Sequence, residues 1–280
     1  MILAAVHWNI APEIISIFGF SLRYYSLFFV GGLMLCIYIL HGIFQRENLP
    51  EEQLEQLSVY AMLGIVIGAR LGHCLFYEPA YFLAHPLEMV LPITFLLDGS
   101  IQFIGYRGLA SHGGALGLLI ALYLYSRRGK QSMVKTFDLI AIVAALACGF
   151  IRLGNFMNSE IIGLPTATNW GVVFERVDNI PRHPAQLYEA TAYFLVFLLI
   201  INVYRKRRNQ LQNGFLFGLL LTLCASARFI IEFVKENQVG FEDQMVLNMG
   251  QLLSLPYIAL GIGLILYSRR ANLLFLAGKR

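Results

Sequence analysis

Seven long apolar stretches, separated by polar segments, constrain the fold of this chain more than any other feature. Each is about 20 residues long, the length that an α-helix needs to cross the hydrocarbon core of a bilayer. Because 58% of the 280 residues are hydrophobic and only 14% are charged, a soluble domain is excluded. The sequence therefore predicts an all-α polytopic membrane protein, with one integral membrane domain over residues 1–280. The predicted spans are 21–44, 57–77, 110–126, 136–157, 185–204, 214–235 and 246–267.

The basic residues predict how these helices are oriented. Arginine and lysine follow the third, fifth and seventh spans, within 127–135, 205–208 and 269–280, and are scarce at the opposite ends. Because cytoplasmic loops are enriched in both residues, we expect the N-terminus outside and the C-terminus in the cytoplasm. Residues 158–184 are predicted to form a small extracytoplasmic head. The apolar piece 89–97 is too short to span and is expected to lie along the interface as an arm.

Polar side chains gather at one predicted depth, near the outer ends of six helices. Ionisable groups at that depth are costly and usually mark a functional site. Cations outnumber carboxylates there, so the pocket suits an anion that resides in the membrane, such as a phospholipid phosphate. The set comprises Arg23, Tyr24, Tyr25, Arg70, His112, Arg152, Gln186, Glu189, Arg228 and Glu232, with Glu160 at its edge.

Helical spacing predicts which of these side chains meet. Residues three or four apart share a helix face, which brings together Arg152 with Asn155, Gln186 with Glu189, and Arg228 with Glu232. His112 opens the third span beside Gly113 and Gly114, where a helix N-terminus favours anions and an imidazole can exchange a proton near neutral pH. Structural explanations stay open: Arg23 and Arg70 as interfacial anchors, and Arg228 with Glu232 as a structural ion pair.

Metal and cofactor chemistry have no support in the sequence. The histidines lack the spacing of metal ligands, and the four cysteines all lie in apolar segments as small packing residues. Phosphate-binding loops, nucleotide fingerprints and nucleic-acid motifs are not found. The sequence therefore predicts no metal, no cofactor and no nucleic-acid partner.

Five motifs in order make the chain closely resemble the bacterial prolipoprotein diacylglyceryl transferase family. They are Gly68-Ala-Arg70-Leu-Gly72, Ser111-His112-Gly113-Gly114, the run from Gly149 to Gly163, Arg182-His183-Pro184-Ala-Gln186-Leu-Tyr188-Glu189, and Arg228-Phe-Ile-Ile-Glu232-Phe. The resemblance implies transfer of the diacylglyceryl group of phosphatidylglycerol to the lipobox cysteine thiol in the signal peptide of a prolipoprotein. A thioether forms and glycerol phosphate leaves, as the first step of bacterial lipoprotein maturation. It also implies a multi-pass protein among the lipids of the bacterial inner membrane, with its site facing the outer leaflet.

The resemblance also implies roles for individual residues. Arg152 and Arg228 would hold the phosphate, Glu189 and Glu232 would orient these arginines, and His112 or a nearby carboxylate would take the thiol proton. Which group is the base stays open. The residues expected to bind substrate are Tyr25, Arg70, Gly113, Gly114, Gly154, Asn155, Asn158, Glu160 and Gln186.

Four positions depart from the family pattern: Ser26 and Ser159 replace glycines, Cys224 replaces a frequent tyrosine, and Lys235 stands where arginine is usual. Lysine lacks the bidentate fork of arginine, so the role of an arginine does not transfer directly to Lys235. The rival interpretation is a transporter or binder of lipids or organic anions that uses the same positive pocket. A transporter would need polar groups that continue to the cytoplasmic side, where stretches such as 28–40 and 195–201 are almost purely apolar.

Overall fold

The computed structural model describes residues 6–17, 20–91, 93–95, 100–103, 108–129, 131–237, 242 and 245–277. It is mostly helical, and six of its described helices are long and apolar enough to cross a membrane. This confirms the prediction of a helical, multi-pass membrane protein. Parts of the predicted arm (96–97) and of the predicted basic segments (130 and 278–280) lie outside the described residues.

Nine α-helices are described. They are α1 (Tyr24–Arg46), α2 (Glu51–Phe76), α3 (Pro79–Ala84), α4 (Pro86–Val90), α5 (Ser111–Arg128), α6 (Met133–Met157), α7 (Ala185–Arg207), α8 (Phe215–Ile231) and α9 (Met249–Ala277). Helix α5 corresponds to the predicted span 110–126 but is not among the six candidate spans. It has only 18 residues, and His112, the glycines and the two terminal arginines lower their mean hydropathy. Seven spans therefore stay a prediction. Helix α2 begins six residues before the predicted span at 57, since Glu51 and Glu52 suit the positive end of the helix dipole.

The chain divides into two compact units. The first unit comprises Met1–Leu40 with Phe137–Arg280, and the second comprises His41–Thr136. In the second unit, α2 and α5 approach closely because glycines face one another: a Cβ on Gly68 would lie 2.7 Å from the Cα of Gly117. The backbone N–H of Ala110 also donates to the carbonyl of Ala69 at 2.9 Å.

In the second unit, the short helices α3 and α4 lead into the predicted arm segment, 89–97. Arg70, buried in α2, donates to the carbonyl oxygens of Glu88 and Met89 at 2.5 and 3.1 Å, and its guanidinium lies 4.8 Å from the ring centroid of Phe82. Strands β4 (Ile93–Phe95) and β5 (Ile101–Phe103) then pair antiparallel. Arg70 therefore fixes the start of this segment to α2.

Strands of the first unit gather at one end of α6. Strands β2 (Glu13–Ile17) and β3 (Phe20–Arg23) pair antiparallel ahead of α1. A second sheet has the order β1-β6-β7, with β1 (Val6–Trp8) parallel to β6 (Val172–Phe174) and β7 (Pro181–Arg182) antiparallel to it. Its apolar core contains Phe156, Ile162, Val172 and Phe174. The segment 158–184, predicted to be the head, therefore packs directly on the last turn of α6.

The opposite end of α6 is tied to α8 through Asp138. Its carboxylate accepts the backbone N–H groups of Gly214 and Phe217 at 2.6 and 2.8 Å, which satisfies donors that the first turn of α8 would leave unpaired. Gly214 itself has φ of 92°, a left-handed conformation that glycine adopts readily. Helices α8 and α9 pack closely where Gly218 meets Gly261.

Candidate active site

An ion pair between α6 and α7 lies at the centre of the polar side chains of the first unit. The Nε of Arg152 is 2.8 Å from Oε2 of Glu189, and the Glu189 side chain is fully buried. The side chain of Arg152 is 17% exposed. Because a buried carboxylate is stable as an ion only when it is paired, Glu189 fixes the position of Arg152.

Side chains at the end of α6 extend this ion pair outward. Arg152 donates through Nη1 to Oδ1 of Asn155 at 3.0 Å, which confirms that the two share a helix face. Asn155 donates in turn to Oε1 of Glu160 at 2.6 Å, and Asn158 donates to the same oxygen at 3.2 Å. The carboxylate of Glu160 therefore lies two hydrogen bonds from Arg152.

The turn that carries Glu160 has an unusual backbone. Ser159 and Ile161, on either side of it, have φ angles of 56° and 59°. The left-handed region disfavours residues with a Cβ, and a β-branched residue most of all, so the turn stores local strain. Gln186 of α7, fully buried, holds the turn by donating to the carbonyl of Glu160 at 2.7 Å. Glycine at position 159 would relieve part of this strain, because it adopts a positive φ readily.

A second group of charges follows α8. The Nζ of Lys235 is 3.1 Å from Oε2 of Glu232 and 3.7 Å from Oε1 of Glu189, and all three side chains are buried. Glu232 also faces the Nε of Arg228 at 4.0 Å, which confirms that these two residues share a face. Lys235 therefore links the two carboxylates, and through them Arg152 and Arg228. We call Arg152, Asn155, Glu160, Gln186, Glu189, Arg228, Glu232 and Lys235 the charged cluster.

Backbone pairing explains why Lys235 reaches this position. The N–H of Leu164 donates to the carbonyl of Val234 at 2.9 Å, and the N–H of Glu236 donates to the carbonyl of Ile162 at 3.2 Å. Arg182 reinforces the pairing, since its guanidinium donates to Asp178, to the carbonyl of Gly163 and to Glu236. Segment 162–164 thus holds the chain after α8 against α7.

Two glycines make room for the cluster. A Cβ on Gly154 would lie 2.8 Å from Cδ2 of Tyr25, so the tyrosine ring packs directly on the α6 backbone between Arg152 and Asn155. A Cβ on Gly250 of α9 would lie 2.6 Å from both carboxylate oxygens of Glu232. Gly250 was not singled out in the sequence, because its contact with Glu232 depends on how α9 packs against the segment that follows α8.

Arg70, His112, Gly113 and Gly114 belong to the second unit. His112 is exposed in the first turn of α5. Gly113 packs on Gly68 and Gly72 of α2, so the contact between the two helices is enough to account for a glycine at this position. Arg70 donates its hydrogen bonds to backbone carbonyl oxygens. The predicted roles of these residues toward substrate stay predictions.

The arrangement is suited to bind an anion. Three cations, Arg152, Arg228 and Lys235, face two buried carboxylates, Glu189 and Glu232. The buried Nε of Arg228 donates no hydrogen bond within the described part of the chain, so this guanidinium keeps donor capacity for a ligand. Among the described residues, no three His, Cys, Asp or Glu side chains converge as a metal ion would require.

Comparison with known proteins finds similar sequences over most of the chain. The family model for prolipoprotein diacylglyceryl transferase matches residues 12–267. The chain is 50% identical to the phosphatidylglycerol–prolipoprotein diacylglyceryl transferase of Bacteroides fragilis over 261 residues, which covers 93% of this chain and 94% of the relative. Proteins of the same name from Tolumonas auensis and Chloroherpeton thalassium are 44% and 43% identical over 264 residues. These cover 94% of this chain, and 97% and 94% of the respective relatives.

Proposed function

The chain belongs to the prolipoprotein diacylglyceryl transferase family, and we propose that its charged cluster is the site where phosphatidylglycerol reacts. As a member of the family, it is a multi-pass protein of the bacterial inner membrane that carries out the first step of lipoprotein maturation. It transfers a diacylglyceryl group from phosphatidylglycerol to prolipoproteins.

The observation that carries the proposal is a pair of arginines fixed by buried carboxylates. Glu189 positions Arg152 at 2.8 Å, and Glu232 faces the Nε of Arg228 at 4.0 Å. That distance is too long for a hydrogen bond, so the buried Nε donates none among the described residues. Guanidinium groups bind phosphate oxygens in a planar, two-pronged geometry. A lipid phosphate held between the two arginines completes their hydrogen bonding.

The reaction creates negative charge where these arginines lie. The cysteine sulfur attacks the diacylglycerol carbon that carries the phosphate ester, a C–S bond forms, and the C–O bond breaks with its electron pair on the departing oxygen. The phosphate thereby changes from a diester with one charge to a monoester with about −1.5 to −2 at neutral pH. Fixed cations that stabilise this added charge lower the barrier more than they strengthen substrate binding.

The remaining roles follow from the sequence predictions. Asn155, Asn158 and Glu160 bind the hydroxyl groups of the headgroup glycerol, and the ring of Tyr25 lines the site beside Gly154. The thiol, with an ordinary pKa of about 8.5, transfers its proton to the imidazole of His112 or to a carboxylate of the cluster. Arg70, Gly113 and Gly114 stay predicted contacts with substrate.

The proposed site lies in the outer leaflet of the membrane. Seven spans, with the N-terminus outside and the C-terminus in the cytoplasm, are supported by the basic segments that follow the third, fifth and seventh of them. In that orientation Arg152, near the end of α6, and Arg228, near the end of α8, lie in the outer leaflet. Segment 158–184 is then the extracytoplasmic head, and lipid and signal peptide enter from the membrane.

The test is transfer in vitro. Purified protein in vesicles of phosphatidylglycerol receives a synthetic peptide with a lipobox cysteine, and mass spectrometry detects the diacylglyceryl adduct. Arg152→Ala is expected to slow transfer by about 10²-fold or more, the cost of removing one fixed donor from a developing oxyanion. His112→Ala and Glu189→Gln test the base and the anchoring carboxylate. Arg205→Ala, an exposed arginine at the opposite end of α7, is the matched control.

Three outcomes contradict the proposal in different ways. If Arg152→Ala keeps full activity, the lipid phosphate does not bind at the charged cluster. Loss of activity in Arg205→Ala to the same extent shows that general damage, rather than chemistry, is measured. Phosphatidylglycerol bound by the wild type without any adduct on the peptide points to a lipid binder or transporter.

A further inference from the structure

A polar cleft of about 430 Å³ opens beside the charged cluster in the first unit. Its polar lining consists of Glu13 and Arg23 from the β2–β3 hairpin, Asn158 and Glu160 after α6, and Arg176 after β6. Asn158 and Glu160 are the outermost part of the hydrogen-bonded path that begins at Arg152. One side of the cleft is therefore continuous with the site proposed for the phosphate.

The two arginines of the cleft differ in their partners. Arg23 donates to Glu13 at 3.0 Å across the hairpin. Arg176 is exposed and has no ion-pair partner within the part of the chain that the structure describes. A cation that lines a cleft without a carboxylate of its own attracts anions from solution. The neighbouring carboxylates and amide offer acceptors and donors for hydroxyl groups.

The chemistry of the reaction supplies a ligand with those two properties. The thioether product keeps its acyl chains and stays in the membrane, whereas the leaving group is small, doubly charged and water-soluble. It needs a polar route from the arginines of the cluster to water. We propose that the cleft between Glu13, Arg23, Asn158, Glu160 and Arg176 receives the departing glycerol phosphate, its phosphate on the arginines and its hydroxyl groups on Asn158 and Glu160.

This inference rests on the proposed function for the identity of the ligand, but it can be tested without turnover. Equilibrium dialysis of the purified protein with radiolabelled glycerol phosphate measures binding directly, and inorganic phosphate and glycerol serve as competitors. Arg176→Gln and Arg23→Gln are each expected to weaken binding about tenfold, the effect of losing one charge-assisted hydrogen bond. Arg205→Gln, exposed on α7, is the matched control and is expected to bind as the wild type does.

Every outcome decides the question. Weaker binding in both cleft variants and not in Arg205→Gln, with glycerol phosphate preferred over phosphate and glycerol, supports the inference. Unchanged binding in either Arg176→Gln or Arg23→Gln overturns it, as does the absence of binding to the wild type. If inorganic phosphate competes equally well, the claim that the cleft binds the glycerol hydroxyl groups is overturned, and the cleft is a site for phosphate alone.

A transfer assay on the same preparations separates the two proposals. If the wild-type protein transfers lipid but does not bind glycerol phosphate, the proposed function stands and the role of the cleft is refuted. If the wild-type protein binds glycerol phosphate in the cleft but forms no adduct, the role of the cleft stands and the proposed function is refuted. During turnover, added glycerol phosphate is expected to inhibit Arg176→Gln about tenfold less than the wild type.

Discussion

Replacing Gly250 with alanine is expected to disturb the charged cluster without adding or removing a charge. The new Cβ would lie 2.6 Å from both carboxylate oxygens of Glu232, where ordinary contact begins at 3.4 Å. The carboxylate must therefore move by about 1 Å, a displacement that can cost about 10²-fold in rate when it misplaces a catalytic group. Such a shift breaks the 3.1 Å contact with Lys235 and releases Arg228. We expect the catalytic efficiency of Gly250→Ala to fall by about 10²-fold.

Gly263→Ala is the matched control, since it lies in the same helix and its Cβ would meet no atom within 4 Å. It is expected to keep full activity and to gain up to about 1 kcal/mol of stability, because alanine is the better helix former. Both variants are assayed for transfer to a lipobox peptide, and thermal unfolding in detergent establishes that each is folded. A folded Gly250→Ala protein with wild-type transfer rates would refute the argument that the position of Glu232 limits the reaction.

Three further changes probe other contacts. Lys235→Met removes the cation between two buried carboxylates, so it is expected to cost about 3 kcal/mol of stability and most of the activity. Lys235→Arg keeps the positive charge and is expected to retain both. Unfolding assays measure the stability of the two variants, and transfer assays measure their activity. Asp138→Ala removes the acceptor for two N–H groups of α8 and is expected to lower stability by about 1–2 kcal/mol with no change in the rate of folded enzyme. Arg182 lowers the pKa of the Asp178 carboxyl by donating to it. The stability that this pair contributes is therefore complete above the pKa of aspartate in the unfolded chain, about 3.9, and is lost as pH falls through the lower pKa of folded Asp178. Tryptophan fluorescence should report acid unfolding of the head below about pH 4. The Asp178→Asn variant should lack that transition.

The helices could be predicted from the sequence because a membrane-spanning helix leaves a strong local signal. Apolar length alone located all seven segments that the structure describes as long helices. The strands left a weaker signal. Strands β1 and β6 are three residues each and pair across more than 160 positions, so no local pattern joins them. Their partners are determined by the apolar core around Phe174, a tertiary effect.

The candidate site was predictable only where its residues share a helix. The spacing of Arg152 with Asn155, and of Arg228 with Glu232, correctly placed each pair on one face. Lys235 was noted as a departure from the family, and its contact with Glu189, 46 positions away, depends on backbone pairing between 162–164 and 234–236. One signal was present: Lys235 stands three residues after Glu232, the spacing of a helical ion pair.

The charge balance of the cluster connects the two proposals. The charged cluster contains three cations and three carboxylates, so its formal net charge is zero; these are Arg152, Arg228 and Lys235, and Glu160, Glu189 and Glu232. A phosphodiester carries one negative charge and a phosphate monoester carries about −1.5 to −2, so the reaction adds negative charge that a cluster of zero net charge does not offset. Arg176, outside the cluster and without an ion pair among the described residues, offers the additional cation. Substitutions of Arg152 or Arg228 should therefore slow the first turnover, and substitutions of Arg176 should change how strongly accumulated glycerol phosphate slows the later ones.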